Sequence, residues 1–232
     1  MNLDRIYRPL LEHFRRSRIA RFYAEMSVNS ATQVLDIGGS PFVWDLAEKL
    51  GFPRPKVTIV NLLPPSSQRA ADFPWVVGNA VCLPFRNQSF DVALSNSVVE
   101  HLGSWEMQKR FASEVLRVSK RHFVQTPNQG FFFEPHLLTP FVHWLPLGWR
   151  CRVARRGTVW GLLMNPSPES AGRMVRGIRL LRQRDLKNLF PNDRLLLERF
   201  LWMPKSLVTF DRPSGVAARH TSAISHLART LP

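Results

Sequence analysis

Residues Val34 to Pro41 read Val-Leu-Asp-Ile-Gly-Gly-Ser-Pro, a short apolar run that ends in an acid and then a glycine turn. Gly38 and Gly39 carry no Cβ, so backbone there can come close to a ligand. Asp36 just before them suits a cofactor bearing a positive amino group. A dinucleotide would instead need its pyrophosphate on a Gly-rich helix start. No Gly-x-Gly-x-x-Gly is present and no acid ends the following strand, so a nicotinamide-binding site is not expected. Further along, Glu134 and His136 in Phe133-Glu134-Pro135-His136 pair an acid with an imidazole that it could orient or make more basic. His101, in Glu100-His101-Leu102, is a second candidate base. For both histidines the plainer alternative is structural packing. No metal is expected: His136 and His143 are too far apart to be neighbouring ligands on one helix turn, and no Cys/His cluster accompanies them.

These residues sit within alternating strand and helix patterns. Strand signals fall at 34–37, 57–63, 75–77, 90–95 and 122–125, with helical patterns at 44–50 and 104–118 between them. Helix 183–190 and strands 195–200 and 206–210 close the series. Strands separated by helices pair in parallel through right-handed crossovers. The expectation is an α/β, doubly wound, mostly parallel, Rossmann-like seven-stranded sheet, with an N-terminal helix at 1–29 and a helical, aromatic insertion at 128–182. Residues 1–212 form one domain in this reading, and 213–232 a mobile tail.

The second block, from Asn79 to Leu102, contains Leu83-Pro84-Phe85, then Ser89-Phe90-Asp91-Val92, then Glu100-His101-Leu102. With the Asp-Ile-Gly-Gly turn upstream, the stretch from Val34 to about Asn128 resembles the class I S-adenosylmethionine-dependent methyltransferases, in particular the small-molecule type 11 group related to the ubiquinone/menaquinone methyltransferases. That resemblance implies S-adenosylmethionine as cofactor. It implies that Asp36, Gly38 and Gly39 hold the methionine end, Asn61 the ribose, and Asn79 and Ala80 the adenine. Ser95 and Asn96 would line the pocket floor. Ser40 and Phe42 stand where the group usually has glycines, and Asn61 and Asn79 where it usually has acids. Neutral amides keep the geometry but give up charge-assisted hydrogen bonds. The stretch from Thr126 to Pro146 looks like a subgroup of bacterial methyltransferases suspected of acting on glycans or secondary metabolites.

Composition bounds the rest. A chain of 232 residues with 44% hydrophobic and 11% aromatic residues can bury a substantial core. Its formal charge of +15 is mostly arginine and is scattered, without any RNA-binding motif. Nucleic acid is therefore a partner that is allowed but not favoured. Cys82 and Cys151 read as two reduced thiols of a cytoplasmic protein, and the opening residues lack a secretory-signal layout. Leu145, Leu147, Trp149, Leu162 and Leu163 lie beside Arg150, Arg152, Arg155 and Arg156. This reads first as a helical cap with solvated arginines, and second as a surface for peripheral contact with the inner membrane. The expected activity is methyl transfer, at oxygen, to a small-molecule, glycan or lipid-linked acceptor. The alternatives are an RNA methyltransferase and a non-catalytic binding or membrane scaffold.

Overall fold

A computed structural model describes residues 3–65 and 67–211, with side chains described from Phe14 onward. The expected tail at 213–232 lies outside the described residues. The strands are β1 (Gln33–Ile37), β2 (Lys56–Asn61), β3 (Trp75–Val77), β4 (Phe90–Asn96), β5 (Ser119–Pro127), β6 (Phe133–Glu134), β7 (Thr139–Pro140), β8 (Arg194–Phe200) and β9 (Met203–Phe210). The α-helices are α1 (Leu3–Met26), α2 (Pro41–Lys49), α3 (Gln68–Ala71), α4 (Trp105–Val118), α5 (Leu147–Val153), α6 (Val159–Met164), α7 (Pro168–Gly177) and α8 (Gln183–Leu189). Seven strands form one sheet in the order β3-β2-β1-β4-β5-β9-β8, and β6 and β7 pair separately. β1 runs parallel to both β2 and β4, β2 is parallel to β3, and β8 and β9 are antiparallel. This is the expected mostly parallel, Rossmann-like arrangement. Strand order reverses between β1 and β4, the position where open α/β sheets bind ligands.

By chain contacts the described residues divide into two compact units: those within 1–95, Glu114–Phe123 and Asp211 in the first, Asn96–Ser113 and Val124–Phe210 in the second. In the first unit, β1 is buried from Val34 onward because it has a strand on either side. The C-terminal half of α1 docks by an apolar face, with Ile19, Ala20, Phe22, Tyr23 and Met26 all buried. Phe22 meets Trp44 and Phe123 edge-on, at 6.3 and 5.6 Å between ring centroids. The Leu83-Pro84-Phe85 block is held by Arg117, which donates to the carbonyls of Leu83 (3.0 Å) and Phe85 (2.7 Å) while paired with Glu114.

Several details differ from the sequence reading. β2 stops at Asn61, and Leu62 and Leu63 are exposed rather than strand residues. β5 starts three residues early, at Ser119, since Lys120 finds Asp91 at 2.9 Å across the sheet end and need not form a turn. The insertion is more ordered than its composition suggests, holding the β6–β7 hairpin and the helices α5, α6 and α7. Leu137, Val142, Ala154, Ala171 and Val175 form a small core of its own.

In the second unit a 3₁₀ turn, Val99–Leu102, carries Glu100 and His101. Gln108 of α4 is fully buried and fixes this turn by donating to the carbonyls of Val99 (3.0 Å) and Arg179 (2.9 Å). Its own carbonyl accepts from the Arg179 guanidinium, and the Arg179 backbone N–H donates to the Glu100 carbonyl at 2.8 Å. Gln108→Ala leaves those groups unpaired, and a loss of about 1–3 kcal/mol in denaturant-unfolding free energy is expected. An unchanged midpoint would show that water replaces the glutamine without cost.

Candidate active site

In the first unit, the turn after β1 carries the residues expected to hold the methionine end of the cofactor. Gly38 adopts a left-handed backbone (φ 71°) while its N–H donates to the Val60 carbonyl at 2.7 Å, tying the turn to β2. Gly39 follows, and a Cβ there would overlap the Asp36 carboxylate. Glycine at 39 is thus dictated by Asp36 itself. Asp36 is 1% exposed, and its Oδ2 accepts from the Trp44 indole N–H at 2.8 Å. Burial drives its carboxyl from 3.8 up to about 7, against the lowering pull of the Trp44 hydrogen bond. A desolvated acid of this kind gains from a cation placed beside it.

Register puts Ile37 of β1 against Val60 of β2 on one side and Ser95 of β4 on the other. The Ser95 hydroxyl is fully buried and makes no hydrogen bond among the described residues. Asn61 ends β2 and uses its side chain on the backbone, donating to the Gly39 carbonyl at 3.1 Å and accepting from the Leu62 N–H at 2.8 Å. The amide thus braces the glycine turn, an arrangement that an acid could not copy, having no donor. Asn79 makes a local turn, accepting from Val81 N–H at 3.1 Å, with Ala80 half-buried beside it. A cavity of about 480 Å³ lies along this edge, lined by Gly39, Ser40, Phe42, Asn61, Arg69 and Trp75 among others, within the size range of small-molecule sites. Arg69 is already matched by Asp45 and Asp72, at 2.5 and 2.9 Å.

The second unit holds a cluster of titratable residues of its own. Asn96 ends β4, and Ser97 after it bonds Gln125 through both its N–H and its hydroxyl, each at 3.0 Å. The structure brings together Glu100, His101, Glu134 and His136. Glu100 and Glu134 are buried, at 0% and 2% exposure. Thr126 donates to Glu100 Oε2 at 2.9 Å. Glu134 takes the Leu137 N–H on one oxygen (2.5 Å) and the His136 Nδ1 on the other (2.7 Å). That bond leaves His136 Nε2, at 4.0 Å from Glu100 Oε1, as the working nitrogen. The His101 ring stands edge-on to it, 4.7 Å away between centroids. Burial alone pushes His136 down, but the hydrogen bond and charge of Glu134, helped by Glu100, outweigh it and hold the imidazole above the usual histidine value. Burial, reinforced by His136, pushes His101 down. Ligand atoms of Glu100, His101 and His136 lie within 4.8 Å of one another, a cluster that could hold a divalent ion as well as a proton. Sequence spacing missed Glu100 as a site residue, because only the fold carries it next to His136. His143, by contrast, is spent on the Gln129 carbonyl at 3.0 Å.

Residues 35–122 match the family model described as a methyltransferase domain, type 11. No curated protein matches the chain. Among solved structures, a Rhodobacter sphaeroides protein described as a Zn-dependent alcohol dehydrogenase aligns at TM-score 0.52 and 16% identity, over 83% of this chain and 88% of that one. A chain from the complex of the Haloferax volcanii Trm112 methyltransferase activator with a protein described as a methyltransferase aligns at 0.51 and 12%, over 85% and 88%. A SAM-dependent methyltransferase from Methanosarcina mazei aligns at 0.48 and 16%, over 79% and 94%. The sheet and the turn at its switch point define a class I S-adenosylmethionine-dependent methyltransferase. Over residues 35–122 the chain is similar to the type 11 group of that class.

The residues present fit this cofactor: among the described residues, a buried acid with no cation beside it, a glycine cradle and an orphaned hydroxyl. When bound, S-adenosylmethionine supplies a methyl group on sulfonium, already activated for displacement. Asp36 also sets a pH signature. The unfolded chain ionises it above about 3.8 and the folded protein only above about 7, so native stability falls as pH rises through that window. Asp36→Asn removes the penalty while keeping an acceptor for Trp44. Without cofactor, the variant's melting temperature should exceed the parent's by more at pH 8 than at pH 5, while cofactor binding in calorimetry is lost. A pH-independent difference would refute the buried-acid account.

Proposed function

We propose that the acceptor is a small-molecule, glycan or lipid-linked hydroxyl, with His136 as its general base. His136 Nε2 would take the proton of the acceptor hydroxyl, whose oxygen would then receive the methyl group that bound S-adenosylmethionine would supply from its sulfonium. The observation that carries this reading is the 2.7 Å bond from His136 Nδ1 to buried Glu134, which fixes the tautomer and raises the basicity of Nε2. His101 packs on the same ring, and its lowered basicity keeps it neutral beside the working base. Asp36, Gly38, Gly39, Asn61, Asn79, Ala80, Ser95 and Asn96 are assigned to the cofactor, with residues 1–212 as one catalytic domain.

Because the His136 value is raised, the base is fully available only on the alkaline side of it. His136→Gln should lower kcat about 10²–10⁴-fold. Glu134→Gln should shift the acidic limb of the kcat/KM profile to lower pH as well as slowing turnover. An unmoved limb in Glu134→Gln would remove the pair from the mechanism.

A second reading concerns where the acceptor is met. Leu147, Trp149, Leu162, Leu163 and Met164 of α5 and α6 are all exposed, by 46–68%. No acid occurs between Glu134 and Glu169, while four arginines lie in that stretch. No helix among the described residues is long and apolar enough to cross a membrane. Together these features favour peripheral contact with an anionic lipid surface. In flotation, the protein should rise with phosphatidylglycerol vesicles and not with neutral ones, and Leu162→Glu with Trp149→Glu should stay at the bottom. Equal flotation of parent and double variant would end this reading.

A further inference from the structure

We infer that the second unit contains an anion-binding pocket, which receives a phosphoryl group on the methyl acceptor. The pocket is a cavity of about 220 Å³ lined by His143, Arg150, Arg176 and Arg179, with Gln129 and Leu180 among the remaining wall residues. No acidic side chain lines it.

Three arginines on three elements turn to one cavity: Arg150 on α5, Arg176 in the last turn of α7, and Arg179 in the segment after it. Several arginines elsewhere in the chain meet carboxylates. Arg54, Arg69, Arg117 and Arg121 do so in the first unit, and Arg173, one turn before Arg176 on the same helix, meets Glu169. The three cavity arginines have only neutral partners among the described residues. Arg179 donates to the Gln108 carbonyl and lies over the Trp105 ring, 4.9 Å from its centroid. Arg176 reaches only the Cys151 sulfur, at 3.9 Å. The buried Nε of Arg150 has no hydrogen-bond partner there.

Neutral partners fix a guanidinium in place without cancelling its charge. Three such groups around one small space repel each other, and the repulsion is relieved by an anion. Guanidinium is the side chain suited to bidentate recognition of phosphate and carboxylate. A carboxylate brings one negative charge, whereas a phosphoryl monoester brings about 1.5–2 at neutral pH and three acceptor oxygens. Three cations therefore match phosphoryl better. His143 adds no charge of its own, since burial pushes its imidazole down and Arg150 adds to the effect. As a location for part of the acceptor, the pocket rests on the methyl-transfer reading. As an anion site it stands by itself.

The test separates the two. Thermal shift and calorimetry on the full chain, with no methyl donor present, would compare inorganic phosphate, pyrophosphate and acetate at one ionic strength held with chloride. Phosphate should raise the melting temperature above the chloride reference, with acetate well below it. Stronger binding of pyrophosphate would point to a diphosphate-linked acceptor, and equal binding to a monophosphate one. Arg176→Gln should weaken phosphate binding at least about tenfold, on the scale of a charged hydrogen bond of 1.5–3 kcal/mol. Arg150→Gln should do the same if Arg176→Gln folds poorly. Arg173→Gln, which removes an exposed and paired arginine, should bind as the parent does. The pocket is refuted if phosphate and chloride act alike, or if Arg173→Gln loses as much as Arg176→Gln. Either result leaves the methyltransferase activity, assayed separately, untouched.

Discussion

The cofactor end of this protein is organised around one unfavourable burial. Asp36 is held out of water at the end of β1, next to a glycine that has no room for a side chain and under an indole N–H. A carboxyl so placed loses most of its hydration and recovers little of it from the single hydrogen bond it receives. The first unit is arranged to make that position unavoidable. β1 is central in its sheet, Phe22 of α1 packs against Trp44, and Asn61 braces the glycine turn from β2. Stability is given up at the point where a cationic ligand can restore it.

The second unit shows the same principle with different groups. Two buried carboxylates, Glu100 and Glu134, flank one imidazole and make it more basic than an exposed histidine. The other charged feature of the unit has the opposite sign, with arginines gathered where no acid answers them. Charge without its full complement is costly, and it is concentrated at the two places where a substrate or a proton could supply the missing charge.

Asn61 changes the meaning of one departure from the family pattern. An acid at that position would serve the ribose with both oxygens. The asparagine instead donates to the Gly39 carbonyl and accepts from Leu62, so its amide is built into the turn. Ser40 and Phe42 likewise need not be glycine in this turn: Ser40 is extended, at φ −151°, and Phe42 stands within α2. Only Gly38, with its positive φ, and Gly39, with Asp36 against it, are constrained by backbone space.

Much of the fold was legible in the sequence. Trp75–Val77 was placed to the residue, and helices α4 and α8 and strands β1, β4, β8 and β9 to within one to three residues at each end. Apolar periodicity and the breaks at Gly and Pro are local properties, so the chain alone determines them. The Asp-Ile-Gly-Gly turn, the Leu-Pro-Phe block and the Glu134–His136 pair were legible for the same reason. Three features were decided only by tertiary structure: the proximity of Glu100 to His136, the commitment of Asn61 to its own turn, and the meeting of Arg150, Arg176 and Arg179 at one cavity. Each depends on the distance between residues far apart in the chain and on whether a partner reaches a given side chain first. Spacing along a sequence carries neither quantity, because burial and pairing are set only when the elements pack.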